Sequence, residues 1–225
     1  MKVFNFVLIG RSGAGKGTQA ELLQKHFGNL FYISSGDLFR DLIKQDTDTA
    51  KRIKKILKEG GLPFDELAIA LWMHKIAYNV KENQGFILDG APRRIDEAKA
   101  LDRFLDFLER KERTFFLLID VSKEEAFNRL LKRRVCSRCG RVIPAIGKFK
   151  NLKICDRCGG RLISRPDDTP EAINKRLDYY EKNVIEVVKF YQKDDRLIRI
   201  NGQQSIEDVF KEILKKIQPK IRNYL

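Results

Sequence analysis

Residues 3–18, VFNFVLIGRSGAGKGT, run from an apolar segment into a glycine-rich loop, a lysine and a helix-forming stretch, an order that few folds can accommodate. Gly10, Gly13, Gly15 and Gly17 reach backbone conformations closed to other residues and let N–H groups turn inward on an anion, with Ala14 and Thr18 among them. Residues 16–27 read as a helix with Ala20, Leu22, Leu23 and Phe27 on its apolar side, so its positive end lies beneath the loop. Lys16 adds a mobile cation that follows a phosphate as charge moves. The plain alternative is a glycine-rich turn between a strand and a helix. Against it, strand, loop, lysine and helix stand in the order that phosphate binding requires. One position departs from the general pattern G-x-x-x-x-G-K-[ST]: Gly17 follows Lys16, and the usual hydroxyl ligand of magnesium is missing there.

Beyond the loop, apolar runs of strand length (3–9, 31–33, 86–88, 114–119 and 197–200) alternate with helical patterns at 36–44, 49–58, 64–78, 95–110, 123–134, 169–191 and 205–217. This alternation predicts an α/β fold in three layers, a parallel sheet flanked by helices with ligands at the carboxyl ends of its strands. With 225 residues and 43% hydrophobic content, one globular core with a small insertion is expected. No apolar run reaches the roughly 20 residues that span a bilayer, and residues 1–9 are too short and too weakly cationic for a signal peptide. The cytoplasm is the expected location, with no membrane partner. A net charge of +14 invites a nucleic-acid reading, yet the lysines at 51–58 and 211–220 stand at helical spacing among acids, as on a solvated face. The same excess suits polyphosphate ligands.

Residues 135–164 break the alternation and hold all four cysteines. CSRCG and CDRCG form two C-x-x-C-G knuckles, with 15 residues between Cys139 and Cys155. Cys136, Cys139, Cys155 and Cys158 complete a four-thiolate set that zinc favours, with no position left for water, so the metal is structural. Knuckle spacing in an intracellular chain argues against disulfides. Iron in the same sulfurs stays open.

Several arginines fall where helices or strands end beside the expected cleft: Arg40 after SSGDLF, Arg93 after DGAP, Arg129 and Arg133 four apart on one helix, Arg165 before PDD, and Arg176 on the next helix. Each alone is better read as a surface ion pair. As a set attached to a phosphate loop they favour transfer between two phosphorylated partners, because planar guanidinium groups bind phosphoryl oxygens bidentately.

In their order, GRSGAGKGTQA, SSGDLFR, LDGAPRR, NRLLKRRV, the four-cysteine insertion and SRPDDTPEAINKRL resemble the adenylate kinases, in the form whose lid carries a metal. The resemblance runs from Val3 to about Gly202. It implies that Gly13, Ala14, Gly15, Lys16, Gly17 and Thr18 bind the ATP phosphates and that Arg129 stacks on the ATP base. It implies that Arg40 and Arg93 hold the phosphate of AMP, with Ser35 and Gly90 near its base or sugar. Arg133, Arg165 and Arg176 would surround the migrating phosphoryl group, and Asp89 would orient Mg2+ through water. Asp167 and Asp168 would set the closed position at the lid hinge. Residues 135–164 would be the zinc-binding lid, 35–78 the acceptor lobe, and 1–134 with 165–225 the kinase core.

Two positions depart from that family. Ala91 stands where a phenylalanine is usual, and Glu97 where a glutamine is usual. An amide donates to adenine N1 and accepts from its amino group at once, whereas a carboxylate only accepts. An ionised Glu97 therefore suits GMP better than AMP. The alternatives are a shifted base, a protonated Glu97, or a side chain turned away to Arg94 or Lys99. ATP and AMP are the expected small-molecule partners of a monomeric enzyme. A zinc-ribbon ATPase dependent on nucleic acid is the rival, but of the exposed aromatics it needs near the knuckles only Phe149 qualifies. A binding module without turnover has no use for so many cations around one phosphoryl group.

Overall fold

The structure, a computed structural model, describes residues 3–58, 61, 63–165 and 167–222. Expectations touching residues 1–2, 59, 60, 62, 166 and 223–225 lie to that extent outside it. The chain begins β1 (Asn5–Ile9), α1 (Lys16–Phe27), β2 (Leu30–Ser34), α2 (Ser35–Leu42), α3 (Asp48–Lys58) and α4 (Asp65–Asn79). It continues through β3 (Gly85–Asp89), α5 (Ile95–Phe107), β4 (Thr114–Asp120), α6 (Lys123–Leu131) and the short strands β5 (Arg134–Cys136), β6 (Val142–Ile143) and β7 (Leu162–Ser164). It closes with α7 (Pro170–Tyr179), a π-helical turn at Tyr180–Val184, α8 (Ile185–Lys193), β8 (Leu197–Asn201) and α9 (Ile206–Arg222).

Five strands pair in the order β2-β3-β1-β4-β8, every pair parallel. Helices cover both faces, which is why NFVLI and TFFLLID read as near-continuous apolar runs. Alternation divides each strand between two cores. Phe6, Leu8, Phe115, Leu117 and Ile119 pack with α1, α6, α7 and α9, while Val7, Ile9, Phe116 and Leu118 pack with α4, α5 and α8. Full burial of each such side chain stabilises the sheet by about 1.5–3 kcal/mol. A third, smaller cluster of Phe39, Ile53 and Ala68 joins α2, α3 and α4 beside the sheet edge. Trp72, fully buried on α4, ties that helix to the main core.

Residues 134–164 carry a separate three-stranded antiparallel sheet in the order β6-β5-β7. Its first strand corrects the helix expected over 123–134. Arg134 pairs with Ile143 and Ser164, so α6 ends at Leu131 and Arg133 lies in the turn, not on one helix with Arg129. The helix expected over 95–110 likewise stops at Phe107, where Glu109 turns to φ 54° and Arg110 leaves the helix to bond the carbonyls of Lys81, Glu82 and Gln84. The helix expected over 169–191 starts at Pro170, capped by the Thr169 hydroxyl, and is broken by the π-turn. α9 runs through Pro219, past the end expected at 217, because a proline in the last turn removes only one ladder bond. Among the described residues no helix is long and apolar enough to cross a membrane.

Candidate active site

β1, β2, β3 and β4 all deliver their carboxyl ends to one edge of the sheet, and the residues that follow them build a cleft there. After β1, Gly10, Gly13 and Gly15 take φ values of 148°, 84° and 93°. Added Cβ atoms at Gly10 and Gly13 would stand 2.5 Å from the Ile119 carbonyl and 2.7 Å from the Ala126 carbonyl, so the loop lies tight against β4 and α6. Gly15 precedes α1 directly and leaves the helix's first N–H groups without a side-chain cap. Lys16 Nζ folds back to the carbonyls of Gly10 and Arg11, at 2.9 and 3.0 Å. Burial lowers its pKa, Asp89 opposes that, and Arg93 and Arg133 add to it.

Asp89 ends β3 beside the loop. The Tyr32 hydroxyl donates to its Oδ2 at 2.8 Å. A Cβ on Gly17 would lie 3.6 Å from both that oxygen and the Tyr32 hydroxyl, which places the helix position lacking a hydroxyl next to a carboxylate. A hard oxygen donor beside a phosphate loop fits a magnesium ion held through water. Sequence reading missed Tyr32.

The second wall comes from α2, the turn after β3, and α5. The Ser35 hydroxyl donates to the Gly90 carbonyl at 2.7 Å; Arg93 donates from Nε to the same carbonyl at 2.6 Å and from Nη2 to Ser35 Oγ at 3.2 Å. The Ala91–Pro92 peptide between them is cis. Arg40 is paired with Asp37 in its own helix. Glu97 is only 4% exposed, and desolvation raises its carboxyl to about 7 against the pull of Arg93, with Asp65 adding to the rise. Arg94 is held by Asp65 at 2.9 Å and by the Tyr179 hydroxyl at 2.5 Å.

The third group converges on Asp168. Arg133 and Arg176 both donate to its carboxylate, and Arg165 pairs with Asp167 at 3.0 Å. Burial, then the charges of Arg133 and Arg40, lower Arg165 to about 10. Arg93 is lowered by burial and, in smaller part, by Arg176. Lys16 feels Arg93 and Arg133, Arg93 feels Arg176, and Arg165 feels Arg133 and Arg40, so the six cations form one linked set. Arg129 sits apart: it bonds Glu125 at 2.6 Å and the Gly202 carbonyl at 2.9 Å, lining a cavity of about 280 Å³ with Ile146, Phe149 and the 203–207 segment.

The phosphate loop has an anchor that sequence reading did not single out. Arg11 bonds the Val121 carbonyl at 2.8 Å and Glu181 at 2.5 Å, and lies over the Tyr180 ring at 4.4 Å. It ties the loop to the π-turn.

A model of the adenylate kinase family matches residues 8–196. The chain belongs to the adenylate kinase family. It is 40% identical over 208 residues to an adenylate kinase from Petrotoga mobilis, covering 92% of this chain and 94% of that one. It is 37% identical over 215 residues to an adenylate kinase from Thermosipho africanus (95% and 99%), and 39% identical over 209 residues to one from Clostridium acetobutylicum (92% and 95%).

In this member of the adenylate kinase family the four cysteines gather in the antiparallel unit of residues 134–164. Their sulfurs lie within 4.8 Å of one another, with Cys136 and Cys158 at 3.5 Å and Cys139 and Cys155 at 3.7 Å. A tetrahedral ion with bonds near 2.3 Å needs sulfur–sulfur edges of about 3.8 Å, so the set fits one metal. The Cys139 backbone N–H, bonding the Cys136 sulfur, is the main cause that brings that thiol down to about 6. At Gly160 a Cβ would stand 2.7 Å from Cys136 Sγ, so this corner admits only glycine. Arg141 and Arg157 reach from this unit to Glu21 on α1, each at 3.5 Å.

Proposed function

We propose that this enzyme transfers the terminal phosphoryl group of ATP directly to AMP, forming two molecules of ADP with Mg2+. The observation that carries this reading is a set of six cations beside the phosphate loop, in which burial and then the charges of neighbouring arginines lower Lys16, Arg93 and Arg165, and which a pair of phosphate chains would relieve.

In this reading the loop amides from Gly13 to Thr18 and Lys16 hold the ATP phosphates over the positive end of α1. Arg129 borders the 280 Å³ cavity taken by the ATP base. Arg40 and Arg93 hold the AMP phosphate; Arg40 exchanges Asp37 for it. Ser35, Gly90 and Glu97 flank the AMP base and sugar. Arg133, Arg165 and Arg176 meet the migrating group with planar donors whose directions Asp167 and Asp168 hold in advance. Magnesium, when bound, neutralises charge on the phosphate oxygens, and Asp89 orients its water shell. No residue needs to form a covalent intermediate.

Residues 135–164 act as the lid and 35–78 as the acceptor lobe, on a core of 1–134 and 165–225. Closure of lid and lobe excludes water, which otherwise takes the phosphoryl group. Zinc is the ion we assign to the four cysteines, as a structural part of the lid. The enzyme acts in this reading as a monomer.

Assays of ADP formation from ATP and Mg2+ with AMP, GMP, CMP or UMP at neutral pH test the reading. It expects AMP to lead; GMP leading instead replaces the acceptor while leaving the chemistry intact.

A further inference from the structure

Glu97 is a buried carboxyl without an ion-pair partner among the described residues. The charged neighbours it might have turned to are engaged elsewhere: Arg94 with Asp65 and Tyr179, Lys99 with Asp96 at 4.0 Å. Arg93 is the cation whose charge acts on it most strongly, and its guanidinium is spent on the Gly90 carbonyl and the Ser35 hydroxyl. The other titratable groups facing Glu97 are Asp65 from α4, Tyr179 from α7 and Tyr191 from α8. Of these, Asp65 is the one whose charge opposes ionisation of Glu97. The charge of Arg93, its backbone N–H bonded to the carboxyl, and the charge of Arg94 favour the anion, as does the first turn of α5, yet burial outweighs them. On the proposed reading, Arg93 also engages the AMP phosphate, which brings a further negative charge to the same wall.

Resting on that reading of the acceptor site, we propose that Glu97 recognises the acceptor base as a neutral carboxylic acid, donating its proton to adenine N1 and accepting from the adenine amino group. In that form it presents one donor and one acceptor side by side, as a glutamine amide does. Ionised, it presents two acceptors, which match the N1–H and amino group of guanine. One side chain thereby reads two bases, and solution pH selects between them. AMP is favoured while Glu97 holds its proton, and GMP gains as the proton leaves. The carboxyl titrates near 7, so the exchange falls in an accessible window.

The experiment is kcat/KM for AMP and for GMP, with Mg-ATP as donor, from about pH 5.5 to about pH 9, in the native enzyme and in Glu97→Gln. The AMP phosphate titrates identically in both proteins, so the native-to-variant ratio isolates Glu97. For AMP that ratio is expected to fall about tenfold per pH unit on the alkaline side, while the native GMP/AMP ratio rises with the same midpoint. Glu97→Gln is expected to use AMP without this limb and to use GMP poorly throughout. A pH-independent native-to-variant ratio overturns the proposal. If Glu97→Gln fails to fold, calorimetry of the native protein in two buffers of different ionisation enthalpy serves: AMP binding at about pH 8 is expected to take up close to one proton and GMP binding none. Equal proton uptake for the two overturns it. ADP formation from AMP with flat ratios refutes the role of Glu97 alone, whereas no ADP from AMP at any pH refutes the underlying reading and the proposal together.

Discussion

Asp168 receives the Arg133 guanidinium side-on, with Nε 2.8 Å from one carboxylate oxygen and Nη2 2.7 Å from the other. The same carboxylate accepts from Arg176 Nη2 at 2.7 Å, so one acid aims two cations into the cleft. A fork held at both prongs loses little side-chain freedom when a phosphoryl group arrives, which is the advantage of arginine over lysine here. Arg133→Ala and Arg176→Ala are each expected to lower kcat on the order of 1,000-fold, and Arg133→Lys to recover little of it. Steady-state ADP formation checks this, and near-normal turnover in either alanine variant removes that arginine from the transfer step.

Asp168 also sets an acid limit on stability. Burial pushes its carboxyl up, but the bonds and charges of Arg133 and then Arg176 outweigh burial and leave it below the usual carboxylate range. A depressed folded pKa contributes stability that is complete above the unfolded value of about 3.9 and disappears as pH falls through the folded value. Denaturant unfolding between about pH 5 and pH 2 is expected to show a steeper loss for the native protein than for Asp168→Asn, the carboxylate that titrates being absent from the variant. Parallel curves contradict this.

The π-turn shows why part of the site was not legible in the sequence. Residues 169–191 carry one helical periodicity, and nothing in that spacing announces an extra residue at Tyr180–Val184, where Arg11 reaches across from the phosphate loop to Tyr180 and Glu181. Long-range pairings of this kind leave no local mark. Arg133 is the same lesson in reverse, since strand pairing at Arg134 overrides a helical pattern. What was legible rested on local chemistry: the apolar runs that became the parallel sheet, the loop glycines, and the two cysteine knuckles. Which way Glu97 faces depended on Asp65 having already taken Arg94, a fact of packing between α4 and α5.

The metal-binding unit is predicted to depend on its ion. Among the described residues of this unit, Ile143, Cys136 and Cys155 are the buried apolar ones, too few for a core. Removal of the metal by a chelator, or Cys136→Ser with Cys158→Ser, is expected to abolish amide protection across residues 134–164 while β4 stays protected. Elemental analysis should find about one metal ion per native chain, with zinc expected over iron. Protection of 134–164 that survives complete removal of metal refutes this dependence.

Arg110 is a structural cation with no place in the chemistry. Its guanidinium bonds the carbonyls of Gln84 at 2.8 Å, Glu82 at 3.0 Å and Lys81 at 3.2 Å, closing the segment that leads into β3. Arg110→Met keeps the apolar stem and leaves those carbonyls unpaired, which is expected to cost about 2–4 kcal/mol in urea unfolding with an unchanged slope. A change under about 0.5 kcal/mol shows that water replaces the guanidinium freely.

Direct passage of a phosphoryl group between two nucleotides is the claim on which the cation ring, the lid and the acceptor site all depend. ATP labelled at the terminal phosphate, incubated with Mg2+ and the protein, tests it with and without AMP. With AMP the label is expected in ADP, and without any mononucleotide the ATP is expected to persist; release of labelled inorganic phosphate at the same rate in both cases contradicts the account.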